Sequence, residues 1–521
     1  MQEKAKVPLA DVTPDQGNGI YIDIPAMPSF GEQARGLWNS KRAVGAGKPK
    51  NLTELTALAC SSAATLVGYD LTLLGSIIAN EQFIIQFGVY DPSLRQWTLP
   101  AIRQTIWTIV QFISAVMGAV IVGYLSDRLG RLICLYGTVV LTIVGALVEL
   151  FSPNWKIWVI GKLLMGCSMG FMQSTVPSCV SELAPVHMRG FLLSLFQFWI
   201  ILGTFLAACV LEGTSTVDGP WSWKAAIASQ FGISLICLLL LFCLVPESPY
   251  YLARQGRIES ARKVLLILRG PELSYNADED LDTIVRTIEQ EQQAAADSGS
   301  YTECFVGVDR RRTFVACLPI AMQQFMGFPL CGNYLSYFLE LAGLKNSFLV
   351  QVISSLLSLF AILVAFTMIE RVGRRLQLLI GCCMMLPCLL GLGILGLVNY
   401  GSAANGRGLS GLAILWSIFY YFSCGAVGWT ILGEVSSTRL RTKTSSIAVS
   451  VNALINMAWA IAVPYLINAD EADLGPKSAF IFLGTGAILC VIAFFSVPET
   501  KGKTFEQLNY LFAQRTSARK F

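Results

Sequence analysis

The sequence predicts an all-α membrane protein of twelve spanning helices arranged as two like halves, and three observations predict it. The chain of 521 residues is 54% hydrophobic and only 14% charged, where a soluble globular domain carries roughly 25% charged residues. Its apolar residues gather into runs that each approach the ~20 residues needed to cross a bilayer. A short charged hinge, GYLSDRLGR at Gly123 to Arg131, returns in the second half as IERVGRR at Ile369 to Arg375. In both copies an acid (Asp127 or Glu370) precedes a glycine (Gly130 or Gly373) and an arginine (Arg131 or Arg374). Such charges cannot rest in hydrocarbon, so each hinge joins two spans at a membrane face.

Residues 1–50, rich in Pro, Gly and Lys, are expected to form a disordered tail. The apolar runs follow at about 56–79, 104–125, 133–151, 157–178, 191–211 and 225–245, and again at about 314–340, 349–369, 376–398, 411–433, 446–467 and 479–497. This divides the chain into a first bundle (51–245), a linker (246–313), a second bundle (314–497) and a C-terminal tail (498–521). The linker is charged throughout, with the apolar spacing of an amphipathic helix in RIESARKVLLILRG and a more polar helix in DEDLDTIVRTIEQEQQ. Short loops on the hinge face carry Arg128, Arg131, Arg189, Arg371, Arg374, Arg375, Arg439, Arg441 and Lys443, whereas the opposite loops carry acids such as Asp91, Glu212 and Asp218. By the positive-inside rule the hinge face and both termini are expected in the cytosol.

Composition excludes other classes. A single histidine, His187, rules out a multi-histidine metal site, and the cysteines fall mostly inside apolar runs without zinc spacing, so they read as packing residues and no cofactor is expected. A net charge of +4 without a dense basic block gives no reason to expect nucleic acid. No nucleophile, base and orienting group converge, so an enzyme is not expected. The partners expected are the lipid bilayer and a small molecule, bound by a monomer.

The halves can be aligned by subtraction. Glu182 and Arg189 repeat as Glu434 and Arg441, and Glu247 of PES repeats as Glu499 of PET, each offset by 252 (434 − 182; 499 − 247), while Asp127 and Glu370 differ by 243. Three charged motifs recurring in one order indicate two parallel repeats of membrane helices, the mark of a secondary transporter that rocks about a central site. The combination of motifs, from about Gly68 to Phe512, resembles the major facilitator superfamily, sugar porter branch. The resemblance implies that the hinge charges Asp127, Arg131, Glu182, Arg189 and Glu247 face Glu370, Arg374, Glu434, Arg441 and Glu499 and form a gate that pairs and separates during transport.

Asp70, in GYD, lies within the first span, where a carboxylate costs about 2.5 to 3.5 kcal/mol on insertion scales. Burial favours its neutral form, which would let it take a proton at one face and release it at the other. Lys162, in the fourth span, is the expected counter-ion. In proton-coupled sugar porters the GYD acid faces a base at that position, usually arginine, so the resemblance implies a proton as coupling ion; lysine here lacks the guanidinium fork. Alternatively, the two form a structural pair in a facilitator.

Sugar hydroxyls both donate and accept, and side-chain amides match them without charge. Gln197 in the fifth span, and Gln323 and Gln324 in the seventh, are amides in apolar surroundings at matching places. The resemblance implies that these line the central site together with Trp429 of the tenth span, and adds Asn452 of the eleventh. Where hexose transporters have Asn after the QQxxG glycine, this chain has Pro329. Its GNYLSYFLELAG, which includes Asn333, is similar to the run in fungal α-glucoside and maltose permeases, as is EVSSTRLRTK. The resemblance therefore implies plasma-membrane symport of a proton with an α-glucoside or related sugar. A facilitative sugar uniporter, a transporter of a non-sugar metabolite and a transporter-like sugar sensor stay open. Gly327 and Gly332 are expected to let the seventh span bend or break.

Overall fold

A computed structural model of the chain describes residues 52–521 apart from 93–95, 184–188, 270–276, 297–300, 334, 337–338, 340–346, 399–402, 437–439, 468–471, 473, 502 and 504. The expected N-terminal tail and His187 lie outside the described residues, as do the side chains of Arg189, Glu370 and Arg441. Among the described residues ten helices are long and apolar enough to cross a membrane. They are the first (Leu55–Ala79), second (Ala101–Leu129), third (Arg131–Leu150), fifth (Leu195–Ser215), sixth (Trp221–Leu244), eighth (Ser347–Ile369), ninth (Arg374–Leu397), tenth (Asn405–Val435), eleventh (Lys443–Ile467) and twelfth (Gly475–Ser496) of the expected spans.

The two others differ for physical reasons. The fourth, Trp155–Leu183, has 29 residues, but Lys162, Gln173 and the small residues Gly161, Gly166 and Gly170 dilute its hydropathy. Those small residues are its packing surface: a methyl added at Gly166 or Gly170 would lie 2.1 Å from the Gln111 carbonyl oxygen or 1.9 Å from that of Ala115, so the second and fourth spans touch backbone to backbone. The seventh is not the continuous helix expected over 314–340. It runs from Gly307 to Phe325, turns at Gly327 with φ +99°, and re-forms as a π turn over Pro329–Asn333. Positive φ suits glycine, and Pro329 has no N–H to continue the ladder, so the break is written at these two residues.

The halves repeat each other at the hinges. Gly130 and Gly373 adopt φ/ψ of 103°/163° and 99°/156°. The next residue in each case donates its backbone N–H to the acid of the PES or PET motif, Arg131 to Glu247 Oε1 at 3.0 Å and Arg374 to Glu499 Oε1 at 2.9 Å. Each acid thus caps the positive end of the following helix. The arginine side chains then pair with the other repeated acid: Arg131 Nε with Glu182 at 3.1 Å and Arg374 Nε with Glu434 at 3.3 Å. The hydroxyl of the PES or PET motif completes the set, Ser248 with Glu182 and Thr500 Oγ1 to Glu434 at 2.6 Å. These pairs run within a half. The side chains of Arg189, Glu370 and Arg441, needed for the expected facing of one half's charges to the other's, lie outside the described residues.

Among the described residues, the halves meet through apolar contact and one close backbone approach. Ile201 of the fifth span packs with Ile362 and Phe366 of the eighth. A methyl at Gly75 would lie 1.8 Å from the Asn333 carbonyl oxygen, so the first span meets the seventh-span break directly. Gly75 is at the end of the first span remote from the hinges, since Thr53 at the near end donates to Leu268 of the linker at 3.0 Å. The molecule is therefore closed between the first and seventh spans at the face opposite the hinges.

The linker forms three helices, Pro249–Arg254, Ile258–Arg269 and Ala277–Ala296, around Leu252, Ala261, Leu265, Leu281 and Ile284. Hydrogen bonds from Arg262 to Asp278, at 2.8 and 3.3 Å, hold that carboxyl below its ordinary range. The C-terminal tail is also folded: a helix at Phe505–Ala513 buries Phe512 beneath the Arg312 guanidinium, 4.8 Å from the ring centroid. Val89–Asp91 pairs antiparallel with Gln96–Thr98 in a small two-stranded sheet. It follows a short helix, Glu81–Phe87, whose Phe83 and Phe87 pack edge-on against Trp107 and Trp223.

Candidate functional site

Two polar clusters interrupt the apolar interior. The first surrounds Asp70, which is 4% exposed. The Lys162 ammonium lies 3.5 Å from Asp70 Oδ1, and Gln111 of the second span donates to Asp70 Oδ2 at 2.6 Å. The expected pair is thus formed, but Lys162 is shared. Its nitrogen lies closer, at 3.1 Å, to Oε1 of Glu149 at the end of the third span. Glu149 is fully buried and Lys162 is 1% exposed. A small cavity lined by Asp70, Thr142, Met165 and Ser168 opens beside the cluster. Two carboxylates thus face one ammonium, a set that carries one net negative charge when all three are ionised.

The second cluster sits where the seventh and tenth spans break. Gln324 Nε2 donates to Asn452 Oδ1 at 3.2 Å, bringing together two of the expected site residues. Gln323 Nε2 donates to the Cys424 carbonyl at 2.8 Å, beside the interruption of the tenth span at Ser423 (φ −112°, ψ −93°). Gly428 lies against the Gln323 amide, where an added methyl would be 2.9 Å from Nε2, and the next residue, Trp429, is 41% exposed. Gln197 is half-buried on the fifth span, and Asn333 is half-buried at the end of the seventh-span break. Neither joins the Gln324–Asn452 pair by a side-chain hydrogen bond among the described residues. Behind the cluster, Trp416 donates Nε1 to the Met326 carbonyl at 2.9 Å and stacks on Tyr420, which stacks in turn on Phe328.

The family model described as "Sugar (and other) transporter" matches residues 55–512, most of the chain. The chain belongs to the sugar transporter family. Among its relatives, the general alpha-glucoside permease of Saccharomyces cerevisiae is 30% identical over 474 residues, covering 90% of this chain and 76% of that protein. The low-affinity glucose transporter HXT3 of the same organism is 28% identical, covering 86% and 80%. The xylose transporter XylE of E. coli, in a partially occluded inward-open conformation, superimposes with a TM-score of 0.70 at 22% identity over 87% of this chain and 99% of that one. The fold is thus the major facilitator fold. The protein is a multi-pass membrane sugar transporter, not an enzyme.

For this sugar transporter several polar residues escaped the sequence reading. Gln111 is one amide in an apolar second span, a pattern that resembles any interhelical hydrogen bond. Glu149 stands one residue from the end of its span, where an acid reads as interfacial. Asn456 lies one turn after Asn452 on the eleventh span, and its Oδ1, like Gln324 Oε1, is a buried acceptor that no described donor reaches.

Proposed function

We propose that the protein is a plasma-membrane symporter that couples entry of one proton to entry of an α-glucoside or related sugar, acting as a monomer with both termini in the cytosol and without a cofactor. The observation that carries this reading is the buried Asp70–Lys162 pair in the same molecule as an amide cluster at two helix breaks. The amides of Gln324, Asn452 and Asn456 offer acceptors and donors to sugar hydroxyls, Trp429 offers a ring face to its C–H surface, and Gln197 and Asn333 complete the expected ring of contacts. Gln323 does double duty, since its N–H also holds the tenth-span break. With the hinge face in the cytosol, the contact of Gly75 with Asn333 supports a conformation closed on the outer side. The hinge charges, including Arg189, Glu370 and Arg441, act as a latch when the halves tilt the other way. Similarity to the alpha-glucoside permease supports the sugar class.

Uptake of labelled maltose, sucrose, glucose, galactose and a polyol in transporter-deleted yeast tests the substrate; maltose or another glucoside is expected to enter fastest, and uptake of the polyol alone would sink the assignment. Gln324→Ala is expected to raise KM for the accepted sugar about tenfold, the effect of losing one good hydrogen bond of about 1.4 kcal/mol, with surface expression retained. An unchanged KM removes Gln324 from the site. A facilitator is the second reading, favoured by Glu149: with a second carboxylate beside it, Lys162 would be a fixed structural cation.

A further inference from the structure

We infer that Glu149 is a second proton-coupling carboxylate, and that Asp70, Glu149 and Lys162 act as one unit holding a single exchangeable proton between the two acids. The inference rests on the symport reading and adds to it a residue from the third span.

The geometry carries it. Glu149 is fully buried, and among the described residues neither of its oxygens accepts a hydrogen bond of ordinary geometry, although the Lys162 ammonium stands 3.1 Å from Oε1. A structural acid at such a depth normally collects several donors. The backbone of the fourth span is pressed onto the side chain: a methyl at Gly161, the residue before Lys162, would fall 2.4 Å from Glu149 Cγ. The glycine therefore makes room for the acid to reach the lysine. The charged groups that face Glu149 are Lys162 of the fourth span and Asp70 of the first. Asp70 is better served, with the Gln111 amide at 2.6 Å in addition to the ammonium. In hydrocarbon, two carboxylates and one ammonium leave one uncompensated negative charge, and a proton removes it. Asp70 has two donors, Gln111 and Lys162, whereas Glu149 has the shared ammonium alone, so the geometry assigns the proton to Glu149 in this conformation. When the first span moves relative to the third and fourth, Lys162 changes partner: the O–H bond at Glu149 breaks, one forms at Asp70, and the ammonium stays charged throughout.

This gives a result that a two-residue Asp70–Lys162 pair would not. Removing either carboxylate leaves a neutral pair with no exchangeable proton, so Glu149→Gln should match Asp70→Asn although Glu149 is not bonded to Asp70. The experiment uses the purified full chain in detergent, with infrared difference spectra of the protonated-carboxyl C=O band recorded across a pH titration. The titrating band is expected in the wild type, lost in Glu149→Gln and in Asp70→Asn, regained in Glu149→Asp, and kept in Lys162→Met, where two acids remain. Gel filtration confirms that each variant is folded, and Gly161→Ala, which displaces the acid without removing it, is expected to shift the midpoint. A band that titrates in Glu149→Gln as in the wild type overturns the inference and leaves Glu149 a structural partner of Lys162. The symport reading fails separately: sugar entry into wild-type proteoliposomes without proton movement removes coupling, whereas the band reports the shared proton with no sugar present.

Discussion

Asp70→Asn is expected to abolish sugar accumulation while sparing exchange of labelled for unlabelled sugar across the membrane. The substitution keeps the shape of the side chain, and the asparagine carbonyl can still accept the Gln111 N–H that now reaches Oδ2 at 2.6 Å, so the fold is retained. What is lost is the group that alternates between charged and neutral. One proton moving down 100 mV supplies about 2.3 kcal/mol and one pH unit adds about 1.4. Their sum, about 3.7 kcal/mol, sustains an accumulation of several hundredfold. The mutant should therefore fall from that ratio to about one, because without a bound proton the gradient has no purchase on the conformational equilibrium. Concentrative uptake by the mutant would place the coupling proton elsewhere.

The second large effect concerns the hinges. Arg131→Ala removes the guanidinium that sits between Glu182 at 3.1 Å and the hinge, where the arginine side chain is 7% exposed and the glutamate 15%. Breaking a buried pair by deleting one partner costs about 3 to 5 kcal/mol, because the other charge is left unpaired. Arg374→Ala should cost a similar amount, since its pairing with Glu434 at 3.0 Å repeats the same geometry. Thermal unfolding in detergent measures both; the two variants are expected to fall well below the wild type and close to each other. A loss confined to one hinge would deny the repeat its structural meaning.

The parts of this fold legible in the sequence were those set by local chemistry. Gly130 and Gly373 adopt nearly the same positive φ because each must turn a chain between helix ends, and that requirement left the repeated motif. Glu247 and Glu499 stand at matching offsets because each caps the helix that follows a hinge. The break in the seventh span was half legible, through Gly327. The break in the tenth at Ser423 was not, because no Pro marks it. It is held from outside: Gln377 of the ninth span donates to the Phe422 carbonyl at 2.8 Å and Gln323 of the seventh to that of Cys424 at 2.8 Å, so the groups freed by the break are satisfied by residues far away in the chain.

The same distinction explains the site. Asp70 and Lys162 could be paired from the sequence because a charge in the middle of an apolar run demands a partner. Glu149 and Gln111 could not, since an acid near a span end and a lone amide in a span each have an ordinary explanation until packing places them around one ammonium. Likewise the hinge charges were legible as a set, but not which of them pair: Arg131 and Arg374 each find partners in their own half.

Coupling is the claim on which the functional account turns, and the alkalinisation of a weakly buffered suspension of transporter-deleted yeast expressing the protein, recorded while labelled maltose enters, tests it most directly. The medium is expected to become more alkaline as sugar is taken up, with one proton lost from it per sugar. Sugar entry with the external pH unmoved would contradict coupling.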